Sequence, residues 1–177
     1  MAIDPTSSLT VIDDRIAATS DEGQRAMLSA LRGRLVGEMT GDLEKVGASL
    51  APHFQVRSYP NQGMVADDRE GMLAILSMAF TAGIYKAMWV DWTRLMVDGN
   101  IIAGDGKLRM VMPRAIVQQM HPDAAVDEGS TYLVSSPVAI FIDFDGGLMA
   151  REVIYTDPSA TEVRKLEPGE LVEGGWS

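Results

Sequence analysis

The chain contains no cysteine. That excludes disulfides, thiolate metal sites and a cysteine nucleophile, and it fits a reducing compartment. There are two histidines, His53 and His121, and neither has acidic residues at ligand spacing, so no metal centre is expected. Basic residues are outnumbered, with 15 Lys and Arg against 25 Asp and Glu and a net charge of -10. No local Lys/Arg cluster offsets this, so the surface repels phosphate backbones and nucleic-acid binding is not expected. No apolar run reaches the ~18 residues that span a membrane. The first twenty residues carry Asp4, Asp13 and Asp14 instead of a basic start and apolar core, so they do not read as a secretory signal. A cytoplasmic protein is the expectation. A serine nucleophile elbow, a phosphate-binding glycine loop and a dinucleotide fingerprint are also missing, and no cofactor is expected.

What is present suits one domain: 177 residues, 46% of them hydrophobic. Residues 1–18 read as an N-terminal arm whose Leu9, Val11, Ile12 and Ile16 can pack on the body. The domain spans 19–165, and 166–177 form a polar tail. Thr19 and Glu22 have capping-box spacing. Met27, Leu31, Leu35 and Met39 then recur every four residues as a helical stripe, with Gly33 and Gly37 inside it. Thr40-Gly41-Asp42 breaks this helix. A short helix carrying Leu43, Val46 and Leu50 follows and ends at Pro52. Phe54 to Tyr59 reads as a strand, with Phe54, Val56 and Ser58 on one face and Gln55, Arg57 and Tyr59 on the other. After the loop at Pro60–Gly63, Asp67 and Glu70 predict another helix start. Met72, Leu73, Leu76, Ala79 and Phe80 form that helix's buried face, and Gly83 its stop.

The rest is β-like. Lys86–Val97 and Ile101–Met112 flank Asp98-Gly99-Asn100, a strong hairpin signal. A polar connection, Pro113–Gly129, holds a short helix at 115–120. Thr131–Phe144 is a strand in which Pro137 predicts a bulge or interruption. Asp145-Gly146-Gly147 turns it into Leu148–Asp157. The chain after Pro158 is expected to be largely unstructured. Segregated helices and antiparallel strands define an α+β domain. Strands apolar on both faces need both faces covered, one by helices and the other by a partner subunit, a closed cavity or both.

The last hairpin, Phe144-Asp145-Gly146-Gly147-Leu148 followed by Arg151-Glu152-Val153-Ile154-Tyr155-Thr156-Asp157-Pro158, resembles the SnoaL-like group of the nuclear transport factor 2-like superfamily. The resemblance covers about residues 20–165. It implies a cystatin-like cone in which a curved, mostly antiparallel sheet wraps helices around an internal pocket. It also implies a homodimer through the outer sheet face. It is poor for function, because this superfamily holds isomerases, cyclases, dehydratases, hydrolases and binders. Its enzymes work by acid–base chemistry in an apolar pocket, where desolvation raises a carboxylate's pKa.

On this basis Glu152, which shares a strand face with Ala150, Ile154 and Thr156, is the first catalytic candidate. The plain alternative is a solvated glutamate or a structural ion pair. Asp91, between Trp89 and Trp92 and on a face with Trp89, Thr93 and Leu95, is a second pocket base or else a salt-bridge or interface residue. His53 is the third, with a solvated or structural role as the alternative. Tyr59, Trp92, Met88, Met72, Phe80 and Ile154 are candidate ligand-binding walls, though core packing explains them equally. Tyr155 and Asp157 are assigned to the fold. The Asp–Arg–Asp set of the limonene epoxide hydrolase branch does not fit, since its aspartate position falls at Ile154 and Ile101–Met112 lacks the Arg-x-Asp. The His–Asp pair of the polyketide cyclases finds no match. Two functions are therefore weighed. One is binding of a small, largely apolar molecule without a recognisable catalytic set. The other is cofactor-independent acid–base catalysis (isomerase, cyclase or dehydratase type) on a small carbonyl or polyketide-like compound.

Overall fold

The computed structural model describes residues 3–60, 64–83 and 87–171. The loop residues 61–63, Lys86 and the last six residues lie outside them. The segment expected as an arm contains a helix, α1 (Ser7–Ala18), whose Ile12 is fully buried and whose Leu9 and Ile16 pack on the core. Helix α2 (Glu22–Thr40) follows, capped by Asp21, which accepts from the Gln24 amide. Thr19, the expected cap, closes α1 instead by donating its hydroxyl to the Arg15 carbonyl. Gly41, at φ 70°, ends α2 in the left-handed conformation open to glycine. Gly37 lets α3 (Leu43–Ser49) approach closely, since a Cβ there would lie 2.8 Å from Val46 Cγ2.

The chain turns from α3 directly into β1 (Leu50–Tyr59), so Pro52 sits in the strand and does not end the helix. The short β2 (Val65–Ala66) pairs with β1. Asp68, not Asp67, caps α4 (Arg69–Thr81) by accepting from the Gly71 amide; Asp67 is held by Arg57. Then come β3 (Ala87–Asp98), β4 (Ile101–Pro113), α5 (Arg114–Met120), β5 (Thr131–Asp145) and β6 (Leu148–Thr156). The tail expected to be unstructured adds β7 (Glu162–Lys165), antiparallel to β5.

Among the described residues, the seven strands form one sheet, in the order β2-β1-β6-β5-β4-β3, with β7 beside β5. The β1–β6 pair is parallel and the others antiparallel. Both expected hairpins form, on Gly99 and on Gly146-Gly147, all at positive φ. Pro137 neither bulges nor breaks the β4–β5 register. It sits where β5 changes partner, after Ser135 opposite β7 and before Val138 opposite β6. A residue without an N–H costs no ladder bond there.

The sheet curls around α2, which touches both β3 and β6. Met27, Leu28, Leu31 and Leu35 of α2 share one core with Phe54, Val56, Val90, Ile102, Ile140 and Ile142. The register slips between Trp92 and Arg94, leaving Thr93 as a bulge residue. Before the bulge Val90 and Trp92 face the core; after it Leu95 and Val97 do. Asp91 and Leu95 therefore do not share a face as simple alternation implied. Gly104 makes room for Trp92, since a Cβ there would lie 2.7 Å from the indole Cζ3, and Gly106 admits the β3 backbone, since a Cβ there would lie 2.1 Å from the Asp91 carbonyl oxygen. This is an α+β domain in which a curved, mostly antiparallel sheet wraps a long helix.

Candidate functional site

Between α2 and the concave sheet face lies a cavity of about 70 Å³. Its walls are largely apolar: Leu31 and Leu35 from α2, Trp92 and Val90 from β3, Leu108 from β4, Val138, Ile140 and Ile142 from β5, and Ile154 from β6. Met64 and Met88 also line it. One part of the wall is charged. Arg34 and Glu38 reach in from α2 and Glu152 from β6, and these three residues are 4, 8 and 5% exposed.

Burying a guanidinium and two carboxylates is costly unless they satisfy one another. Arg34 Nε donates to Glu38 Oε1 at 2.9 Å, an i, i+4 contact along α2. Arg34 Nη1 stands 2.7 Å from Glu152 Oε2. That approach is short but poorly directed, so neither atom has a well-aligned hydrogen bond among the described residues. The guanidinium carbon also lies 5.6 Å from the centroid of the Phe54 ring, a cation–π contact. The cluster has one cation for two carboxyl groups. Burial holds the Glu152 carboxyl above its ordinary range; Arg34 opposes the shift and Glu38 adds to it. Arg34 is raised still further from titration by its two glutamates, against the desolvation that opposes it.

Of the residues singled out from sequence, Glu152, Trp92, Met88 and Ile154 line this cavity. Asp91 does not. It turns to the other side of β3, where Arg109 Nε donates to it and Trp89 Nε1 donates at 2.9 Å. This is the salt bridge weighed as its alternative reading, set by the β3–β4 register that places Arg109 opposite Trp89. His53 is also outside; its side chain is 64% exposed and lies 3.6 Å from Asp145. Tyr59 points outward and stacks on Tyr155, with ring centroids 5.3 Å apart. Met72 is wholly buried and Phe80 packs beside the same core. Neither lines the cavity, because α4 packs on β1, β2 and α3 and not over the opening of the sheet. Arg34 and Glu38 went unnoticed in the sequence. They flank the stripe of Leu31 and Leu35, and the spacing Leu31, Arg34, Leu35, Glu38 (i, i+3, i+4, i+7) was the available signal. Among the described residues, no group of His, Cys, Asp or Glu could hold a metal ion, and no helix is long and apolar enough to cross a membrane.

No protein-family model matches the sequence, and no curated protein is similar to it by sequence. Solved structures do match. A candidate SnoaL-like polyketide cyclase from Shewanella denitrificans aligns over 75% of this chain and 91% of its own, with a TM-score of 0.60 at 10% identity. A candidate polyketide cyclase from Xanthomonas campestris pv. campestris aligns over 78% and 95%, with a TM-score of 0.56 at 17% identity. An M. tuberculosis LEH-like epoxide hydrolase aligns over 76% and 84%, with a TM-score of 0.55 at 16% identity. The fold is thus the one these structures share, with ketosteroid isomerase-like and nuclear transport factor 2-like proteins among them.

Proposed function

We propose that this protein binds a small, largely apolar molecule in the cavity between α2 and the concave sheet face. The observation that carries the reading is the composition of the cavity wall: an apolar chamber with one buried Arg34–Glu38–Glu152 cluster. Pockets of this kind gain affinity from apolar contact and orientation from few polar groups. As it stands the cavity holds about two waters' worth of volume, so a larger guest must move side chains. Met64 and Met88 are the walls best able to do so, since unbranched methionine repacks at low cost. The Trp92 indole is part of the cavity wall, so intrinsic fluorescence reports its occupancy. A panel of neutral apolar compounds should change that fluorescence saturably. Filling the chamber by Ile140→Phe should abolish the response, and an unchanged response in that variant would remove the cavity from the account.

The second reading is a cofactor-independent acid–base enzyme acting on a small carbonyl or polyketide-like compound. One observation favours it: the Glu152 carboxyl is buried, raised and on the cavity wall. A carboxyl in such a site can take a proton from carbon or donate one to oxygen near neutral pH. Turnover of a carbonyl substrate that is lost in Glu152→Gln with binding retained would select this reading.

The outer sheet face carries Phe141 packed edge-on against Tyr155, beside Tyr59, all between 39 and 49% exposed. We propose a second copy of the chain as its partner, in a homodimer formed through the sheet. No nucleic-acid or membrane partner is proposed, and the place of action is taken to be the cytoplasm.

A further inference from the structure

Trp92 Nε1 is buried and has no hydrogen-bond partner among the described residues. The indole it belongs to forms part of the cavity wall. Its sister Trp89 shows how this chain treats an indole when packing alone is at stake: Trp89 Nε1 is paired with Asp91. A buried N–H left unpaired costs about 1–3 kcal/mol. A phenylalanine or leucine would fill the same space without that cost. Much of the local structure nonetheless serves this indole. The Thr93 bulge sets the face on which it lies, and Gly104 clears the opposing strand for it. Arg34 Nη1 and Glu152 Oε2, on the same wall, lack well-aligned hydrogen bonds but stand 2.7 Å apart and face each other as an ion pair. Trp92 Nε1 is the wall's polar atom with no such partner among the described residues.

We propose that Trp92 Nε1 is the specificity-determining donor of the cavity, and that it selects a neutral guest carrying a lone-pair oxygen, such as a ketone, an aldehyde or an ether. This rests on the reading of the cavity as a binding site. An indole N–H can donate and cannot accept, so a guest without an acceptor leaves it unpaired. A carboxylate guest meets Glu38 and Glu152 in a desolvated site, and like charges there repel. An ammonium guest satisfies Glu152 but meets Arg34 and gives Trp92 nothing to bind.

The test compares cyclohexanone with methylenecyclohexane, a pair matched in shape and differing in the acceptor. Both are titrated into the ¹⁵N-labelled full-length protein and followed by the indole N–H resonances. Trp92 is assigned by the signal missing in Trp92→Phe. The expected result is at least about tenfold tighter binding of the ketone, with a downfield shift of the Trp92 indole proton that the alkene does not produce. Trp92→Phe should bring the ketone down to the affinity of the alkene and leave alkene binding within about twofold. Equal binding of both probes by the wild type, with no ketone-specific shift at Trp92, would overturn the inference while leaving the cavity a binding site. A preference for the ketone that survives in Trp92→Phe would also overturn it. Tighter binding of trimethylammonium or isobutyrate than of the ketone would replace it with a charge-selective site. If no probe binds the wild type, both the inference and the reading beneath it fail. The wild-type indole shift keeps the test decisive even where Trp92→Phe does not fold.

Discussion

Replacing Arg34 by methionine should cost this fold much of its stability, in a way that depends on pH. The guanidinium is 4% exposed and is the only cation facing Glu38 and Glu152 among their described ion pairs. Methionine has a similar volume, so packing is largely kept and the two carboxyl groups lose their counter-charge. Breaking a buried pair by removing one partner costs about 3–5 kcal/mol, and loss of the cation–π contact with Phe54 adds about 0.5–1 kcal/mol or more. With a urea m-value of about 2 kcal/mol/M for a chain of this size, the unfolding midpoint at pH 7 should fall by roughly 2 M. The sign with pH follows from the carboxyls. Without Arg34, nothing opposes the upward pull of burial on the Glu152 carboxyl, so the folded state binds more protons than the unfolded one. Stability from this group is then greatest below its unfolded value of about 4.5 and is lost as pH rises through the folded value, by up to about 1.4 kcal/mol per pH unit. Urea unfolding followed by far-UV circular dichroism at pH 5, 6 and 7 measures this directly. The triple variant Arg34→Met, Glu38→Leu, Glu152→Met removes the charges together and should recover most of the loss and the flat pH profile. An Arg34→Met protein as stable as wild type at pH 7, or equally destabilised at all three pH values, would refute the description of the cluster.

Further expectations concern other parts of the molecule. Glu152→Gln should gain stability relative to wild type as pH rises above about 4.5, the unfolded value that burial raises in the folded state, because wild-type stability from this group is full below that value and lost above it; paired urea titrations check this. Gly106→Ala should cost at least about 2 kcal/mol, since its Cβ would lie 2.1 Å from the Asp91 carbonyl oxygen, where backbone and not a flexible tip must move; the thermal midpoint reads it. If the proposed homodimer forms, Phe141→Asp should leave the protomer folded and halve the solution mass measured by light scattering, because a charge on the convex aromatic patch opposes sheet-to-sheet pairing; an unchanged mass would count against that interface. The Arg164–Glu170 pair holds the Glu170 carboxyl down to about 2, so its contribution is present above the unfolded value of about 4.5 and lost as pH falls toward about 2; the Ile3 amide, which donates to the Glu170 carbonyl, should lose exchange protection over that window.

Much of the fold was legible because local signals and tertiary demands agree. Asp98-Gly99-Asn100 and Asp145-Gly146-Gly147 need positive φ, and the hairpins form on them. The stripe from Met27 to Met39 is buried as its spacing implies. The misses lie where several local signals compete. Ser20, Asp21 and Thr19 are all able caps, and only the path of the chain decides that Asp21 takes the α2 amides. Residues 7–18 carry Leu9, Ile12 and Ile16 at the helical spacing i, i+3, i+7, a signal that the reading of this segment as an arm passed over, and these residues pack on the core. Strand β7 is four residues long and mostly exposed, so its pairing with β5 supplies what its sequence does not. The site divides along the same line. Glu152 was found through the last hairpin, whose register against β5 places Glu152 opposite Ile142 on the inner face. Asp91 was misplaced because the Thr93 bulge shifts the alternation of β3, and nothing in Trp89–Leu95 marks it. Arg34 carried no signal of burial, because two of the groups that hold it inside, Glu152 of β6 and the Phe54 ring of β1, arrive from distant parts of the chain.

The measurement closest to the central claim is a methyl NMR titration with cyclohexanone, using labelled isoleucine. Ile140, Ile142 and Ile154 line the cavity, while Ile3, Ile16, Ile75 and Ile101 do not. Saturable shifts concentrated on the first three are the predicted result. Shifts confined to the second set, or none at any ratio of ligand to protein, would contradict it.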